Sequence, residues 1–410
     1  MVNPDRRLFI QNTIAGMTLG VGDTLLNRVN GLSRLALAQS IKNIPGYAES
    51  GPLIVVFQRG AADGLAILSP LNDPDFNAAR PPEMSFSKTS SSGKIESSGT
   101  DFFWHPQAGH LAQLFESKKL LAWQAVGIKN ETRSHFEAQE MVERGASSLA
   151  QLTDRLGWMA RESRKKNLSD AEQSFVHLYG GSNNLPRALQ GVPGVLSVRD
   201  LQSGIAIPNG DAGLRAILTL SQAESTHPSA RFIDDQMKSI STINELLPKG
   251  KGNKTLPYST AGKTSYLNND PSVGLRSLAQ LLELKIPIRY AWIDQLGWDT
   301  HENQPGRIHS LIQNLGHGLT AFAEDMQARK QPYTLVIMTE FGRRLRSNRS
   351  NGTDHGHGSL AMVMGSRIPG GQVLGRWPGL SSVSLDRQVD LAVTTDYLEV
   401  LRQSMSWHAS

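Results

Sequence analysis

The chain contains no cysteine. That absence excludes disulfides, thiolate metal ligands and a cysteine nucleophile. It suits an oxidising compartment, where stray thiols are a liability. No stretch approaches the ~20 consecutive apolar residues of a membrane-spanning helix, so no stable membrane span is expected. There is also no sustained Lys/Arg stripe with interleaved aromatics. Charged residues make up 19% of the 410 positions and the net charge is +5, too diffuse a balance for a nucleic-acid surface. Short basic clusters such as RESRKK (161–166) read as solvated helix surface. No internal repeat is visible.

What is present begins at the N-terminus. DRRLFIQ (5–11) places two arginines before a phenylalanine, and the weakly apolar TIAGMTLGVG (13–22) follows. LALAQS then offers an Ala-x-Ala site at Ala36 and Ala38. A charged region, an apolar region and a small-residue site describe an export signal over residues 1–38, and the arginine pair resembles a twin-arginine signal. The competing reading is an ordinary amphipathic first helix. Export predicts handling by the twin-arginine machinery and a periplasmic or otherwise exported destination. That route carries folded proteins, which fits a metalloprotein.

Five short β-branched and apolar runs read as buried strands: PLIVVFQ (52–58), KLLAWQAV (119–126), IPIRYAWID (286–294), PYTLVIMT (332–339) and LAMVMG (360–365). Continuous runs of this kind suit a parallel sheet covered on both faces. Helical patterns at 136–144, 273–284, 306–329 and 395–405 alternate with them, which predicts an α/β doubly wound, mostly parallel sheet flanked by helices. The Ser/Gly/Lys-rich segment 85–101 reads as a mobile loop. Residues 51–410 read as one domain, with 150–270 as an inserted cap.

The chemistry-bearing residues cluster just after the strands, where open α/β sheets bind ligands. Asp63 follows the first strand in RGAADG, as a ligand or as a turn residue capping the next element. Ser134 follows the second in NETRSHFEAQ, at the expected N-cap of a helix. It reads as a capping box with Glu137, or as a nucleophile where amides and the helix dipole stabilise an anion. Arg133 beside it suits bidentate binding of an anionic ester. Asp299 and His301 form a D-x-H pair after the third strand. Glu340 ends the fourth, with Arg343 following. NGTDHGHGS (351–359) supplies Asp354, His355 and His357 in a loop too glycine-rich for a helix. Oxygen and imidazole ligands suit zinc, manganese or another first-row ion.

The motifs VVFQRGAADGL, TRSHFEAQEMVERG, GWDTHENQ, MTEFGRRLRSNRSNGTDHGHGS and GGQVLGRWPGL resemble those of DUF1501, a family of exported bacterial proteins related to the alkaline phosphatase-like superfamily. The resemblance implies an alkaline phosphatase-like fold and a metal-dependent hydrolase of phosphate or sulfate esters, with one or two divalent ions and a metal-activated serine. It implies that Asp63 and Glu340 flank Ser134 at one metal, and that Asp299, His301 and His355 or His357 serve the other. Gln58 and Ala61 depart from the expected pattern without touching a proposed ligand. Phe341 stands where many superfamily members carry a histidine, so Asp354 or a histidine of DHGHG fills that role, or the second site is weak. The alternative is a non-catalytic exported metal- or carbohydrate-binding protein that keeps the fold.

Overall fold

The structure of the protein, a computed structural model, describes residues 50–409, save positions 98, 153–154, 166–176, 182–183, 193–194 and 204 and most of 206–242. The expected export signal therefore lies outside the described residues, as does much of the expected cap.

The strands in chain order are β1 (Leu53–Gln58), β2 (Leu68–Ser69), β3 (Lys94–Ser97), β4 (Thr100–Trp104), β5 (Leu120–Gly127), β6 (His177–Gly180), β7 (Leu196–Ser197), β8 (Tyr290–Gln295), β9 (Thr334–Met338), β10 (Ser359–Gly365), β11 (Val373–Leu374) and β12 (Thr395–Asp396). The helices are α1 (Gly64–Ile67), α2 (Pro74–Ala79), α3 (Gly109–Glu116), α4 (His135–Arg144), α5 (Trp158–Arg164), α6 (Ser272–Glu283), α7 (Gln304–Ala328) and α8 (Tyr397–Ala409). The main sheet runs β11-β5-β10-β9-β1-β8-β6-β7, with β12 also on β5. Its pairings are parallel except where β10 meets β5 and β9. The fold is thus the α/β, mostly parallel sheet the sequence implies.

The continuous apolar runs arise because both sheet faces are buried. Along β1, Ile54 and Val56 face a layer with Leu111 of α3, Leu278 of α6 and Leu315 of α7. The alternate residues Leu53, Val55 and Phe57 face Met141 of α4, Met159 of α5 and Val400 of α8. Each such side chain, fully buried, contributes roughly 1.5–3 kcal/mol. Two segments differ from the sequence reading. Residues 85–101 hold β3, whose Ile95 is buried, so a strand pairs with β4 inside a stretch whose serines suggest only a loop. β6 and β7 fall within 150–270 yet extend the main sheet.

The topology sets the position of the polar loops. The loops after β1, β5, β8 and β9 leave the same edge of the sheet, because these strands share a direction. β10 runs the other way, so its start, not its end, lies on that edge. The histidine-rich segment before Ser359 therefore joins the same rim.

Candidate metal centre

Three imidazoles and one carboxylate meet at this rim. His355 Nε2 lies 3.0 Å from His135 Nε2, 2.9 Å from His301 Nε2 and 3.3 Å from Asp299 Oδ1. His301 Nε2 is 3.1 Å from Asp299 Oδ1, and His135 Nε2 is 3.6 Å from Asp299 Oδ2. His135, Asp299 and His355 offer ligand atoms within 4.8 Å of one another. The centre opens to water on one side, since the Asp299 and His301 side chains are 46% and 44% exposed.

Each ring is anchored through its other nitrogen. His135 Nδ1 donates to Glu340 Oε1 at 2.8 Å. His301 Nδ1 donates to Asp354 Oδ1 at 3.2 Å. His355 Nδ1 donates to the Arg133 carbonyl at 2.8 Å. These acceptors fix the tautomer, so in the neutral rings every Nε2 presents a bare lone pair to the others. One shared proton would relieve one of these pairs. A cation relieves all of them at once, and carboxylates and carbonyls that hold imidazoles this way are the usual outer ring of a metal site. Zinc–nitrogen bonds of about 2.0–2.1 Å need nitrogens only slightly further apart than these.

The surrounding electrostatics hold the carboxylates charged and the rings oriented. Burial pushes the Glu340 carboxyl up, but hydrogen bonds from His135 and Gln139 outweigh it and bring it down to about 2. Glu340 also accepts from the Gly60 amide at 3.0 Å. Burial lowers His135, and Glu340 more than reverses that, leaving the ring above its ordinary value. Burial raises the Asp299 carboxyl, and Arg343 pulls it below the usual range. Asp354 is lowered first by its bond from Asn348. His355 is lowered by burial. Phe341 stacks on His135, with ring centroids 4.9 Å apart and planes at 28°, closing one side of the centre with an apolar ring.

Two glycines permit the loops to approach. Gly60 has φ 112°, and a Cβ there would lie 2.4 Å from the Asp299 amide nitrogen. A Cβ at Gly352 would lie 2.1 Å from the His301 carbonyl oxygen.

The residues singled out in the sequence divide. Asp299, His301 and His355 converge, with Glu340 and Asp354 one step behind them. Asp63 is buried; its Oδ2 pairs with Arg80 Nη1 at 2.6 Å and accepts from Gln304 Nε2 at 2.7 Å, and its Oδ1 caps α1 through the Ala66 amide. His357 bridges Asp386 Oδ2 and the Ile128 carbonyl, at 2.9 and 2.8 Å. Arg343, 1% exposed, donates to the Gly60, Ala61 and Thr353 carbonyls and pairs with Asp299. Arg133 pairs with Asp390. Ser134 is the N-cap of α4, but its side chain makes no capping hydrogen bond. The expected capping box does not form: Glu137 accepts from Thr132 Oγ1 at 2.6 Å instead, and the Ser134 amide donates to that same hydroxyl. His135 escaped the sequence reading because it sits inside a helical pattern beside a serine that draws the attention.

The fold and centre define an α/β protein with a three-histidine, one-aspartate cluster at the carboxyl edge of a mostly parallel sheet. The chain belongs to the DUF1501 family, described as proteins of unknown function, whose profile matches residues 51–399. No curated protein matches it. Among solved structures, it is similar to the lipoteichoic acid synthase LtaP from Listeria monocytogenes, at 9% identity and TM-score 0.36 over 88% of this chain and 81% of that one. It is also similar to Ps i-CgsB, at 10% identity and TM-score 0.36 over 88% and 72%. The PsFucS1 sulfatase from Pseudoalteromonas sp. matches at 9% identity and TM-score 0.35 over 92% and 72%. Among the described residues, no helix is long and apolar enough to cross a membrane.

Proposed function

We propose that this protein is an exported, metal-dependent hydrolase of phosphate or sulfate esters with Ser134 as nucleophile. The observation that supports it is the convergence of three Nε2 lone pairs on Asp299, with each Nδ1 already committed. In this reading His135, His301 and His355, through Nε2, and Asp299 hold one divalent ion, zinc or manganese. When bound, the ion supplies Lewis acidity that makes a nearby hydroxyl more nucleophilic and stabilises charge on oxygen. Glu340, Asp354 and Arg343 orient the ligands, while Asp63 and His357 hold the framework.

Ser134 lies between Arg133, whose carbonyl anchors His355, and His135. Its hydroxyl is not engaged in capping. The first-turn amides of α4 have no intrahelical acceptor and face negative charge favourably. Ser134 Oγ bonds to phosphorus as the bond to the alcohol oxygen breaks, and the serine proton ends on the departing alcohol. Water then cleaves the serine–phosphorus link and restores the hydroxyl. The sum is ester plus water giving acid plus alcohol.

A non-catalytic metal-binding protein is the second reading. It is favoured by the pairing of Arg133 with Asp390 and of Arg343 with Asp299, which leaves neither guanidinium free for an ester. Elemental analysis of the purified mature chain, followed by an ester-hydrolysis panel on wild type and Ser134→Ala, separates the two. Bound metal with turnover lost in Ser134→Ala supports the hydrolase. Turnover that persists in the variant removes Ser134, and metal without turnover leaves the binding protein.

A further inference from the structure

The cationic side chains around the centre bear on the charge of the substrate. A dianionic phosphoryl group is ordinarily held by a free guanidinium fork or a second metal ion. Arg343 is consumed by three carbonyls and Asp299. Arg59 sits between Asp294 at 2.8 Å and Glu143 at 2.9 Å. Arg80 is locked on Asp63. Arg133 pairs with Asp390 and lies 3.8 Å from Asp386. Arg344 is exposed and lies in the field of Asp354 and Asp390, a single solvated cation and not a clamp. Inside the centre, one divalent ion together with Arg343 balances the carboxylates of Asp299, Glu340 and Asp354. The loaded site therefore carries no net positive charge to neutralise a second negative charge on the substrate.

An exposed apolar side chain lies next along the chain from one of the three histidines. Phe136 is 89% exposed and follows His135 directly along α4. An exposed ring contributes nothing to the core, whereas a ring beside a reactive centre gives a substrate substituent a face to rest on.

Building on the hydrolase reading, we propose that the substrate is a singly charged phosphodiester, with its retained apolar or ring-bearing group resting on Phe136, and not a dianionic monoester. Ser134 Oγ bonds to phosphorus while one ester oxygen leaves as an alcohol carrying the serine proton. The second group stays on phosphorus throughout, and water cleaves the serine link and returns the proton to Ser134 Oγ, so the products are one alcohol and one monoester, which the centre does not process further.

The test uses the zinc-loaded mature protein with bis(4-nitrophenyl) phosphate and 4-nitrophenyl phosphate at pH 8. The expected kcat/KM favours the diester by about tenfold or more, the effect of roughly 1.4 kcal/mol. Phe136→Ala is expected to raise KM for the diester by several-fold with kcat nearly unchanged, and to leave the monoester unaltered. Calorimetric titration of diphenyl phosphate and phenyl phosphate into zinc-loaded Ser134→Ala reads the same preference without turnover. If neither ester is cleaved, the hydrolase reading falls, and the calorimetry still decides the charge preference. Equal or tighter binding of the monoester, binding of neither, or an unchanged diester KM in Phe136→Ala overturns the inference.

Discussion

Replacing Glu340 by glutamine tests whether the outer ring of the centre acts on a metal. The carboxylate is fully buried and accepts from His135 Nδ1 at 2.8 Å, Gln139 Nε2 at 2.9 Å and the Gly60 amide at 3.0 Å, all on Oε1. Its Oε2 accepts from Thr339 Oγ1 at 2.9 Å. A glutamine carbonyl in the Oε1 position keeps the first three bonds. Its NH2 then faces Thr339, whose hydroxyl already has the Gln58 carbonyl at 2.8 Å as an alternative acceptor. The hydrogen bonds survive and only the charge behind His135 is lost, which weakens that ring as a ligand. Such outer substitutions cost about 10–100-fold in metal affinity, or roughly 1.4–2.7 kcal/mol. Competition against a chromophoric chelator at pH 7.5 measures the affinity, and urea titration of the metal-free protein checks the fold. Zinc affinity within twofold of wild type, in a folded Glu340→Gln, would refute the reasoning.

Four further outcomes are expected. His355→Gln loses zinc affinity by at least about 100-fold, whereas His357→Gln, whose ring bridges Asp386 and Ile128, keeps it within a few-fold; chelator competition on both variants ranks them. Arg80→Met strands the buried Asp63 and costs about 3–5 kcal/mol in urea unfolding, with zinc stoichiometry unchanged by elemental analysis. His135, lowered by burial but raised further by Glu340, binds a proton at higher pH than an ordinary histidine. Zinc affinity should therefore begin to fall at a higher pH than an ordinary histidine ligand would set, and Glu340→Gln should move that onset to lower pH in the same competition assay. Removing metal with a strong chelator should lower the thermal midpoint, because free ion at about 1,000 times its Kd stabilises the folded state by about 4 kcal/mol; an unchanged midpoint in a calorimetric scan counts against bound metal.

The sheet was legible because its strands are buried on both faces, and the runs 53–57 and 335–338 leave no polar position that a helix surface would need. β10 was harder. Its run SLAMVMG is as apolar as its neighbours, and direction leaves no trace in a strand covered on both sides. The gathering of Asp299, His301 and His355 followed from placing their motifs at strand ends. Which member of a motif turns inward did not. His355 and His357 are separated by one glycine, and only the acceptors, Arg133 carbonyl for one and Asp386 for the other, distinguish them. Asp63 looked like a ligand by position, but its partner Arg80 lies on another element, beyond the local pattern. His135 was hidden because its neighbours Phe136–Arg144 read as a helix, and a helix's first residue gives no sign of which way its ring points.

The tie between the loops predicts a rigid centre in the metal-free protein. Three lone pairs that face one another repel, so the protein must hold them against that repulsion. Arg343 does so from below: one buried guanidinium joins the carbonyls of Gly60, Ala61 and Thr353 to the carboxylate of Asp299, tying the loops after β1 and β8 to the segment that leads into β10. Lysine has a compact ammonium with no planar fork, and cannot span these four acceptors. Arg343→Lys should therefore loosen all three loops together, and hydrogen exchange of the amides at 60–62, 299–301 and 353–356 should accelerate jointly in the metal-free protein. If exchange quickens at only one of these segments, the guanidinium is a local contact and the rigidity of the centre has another source.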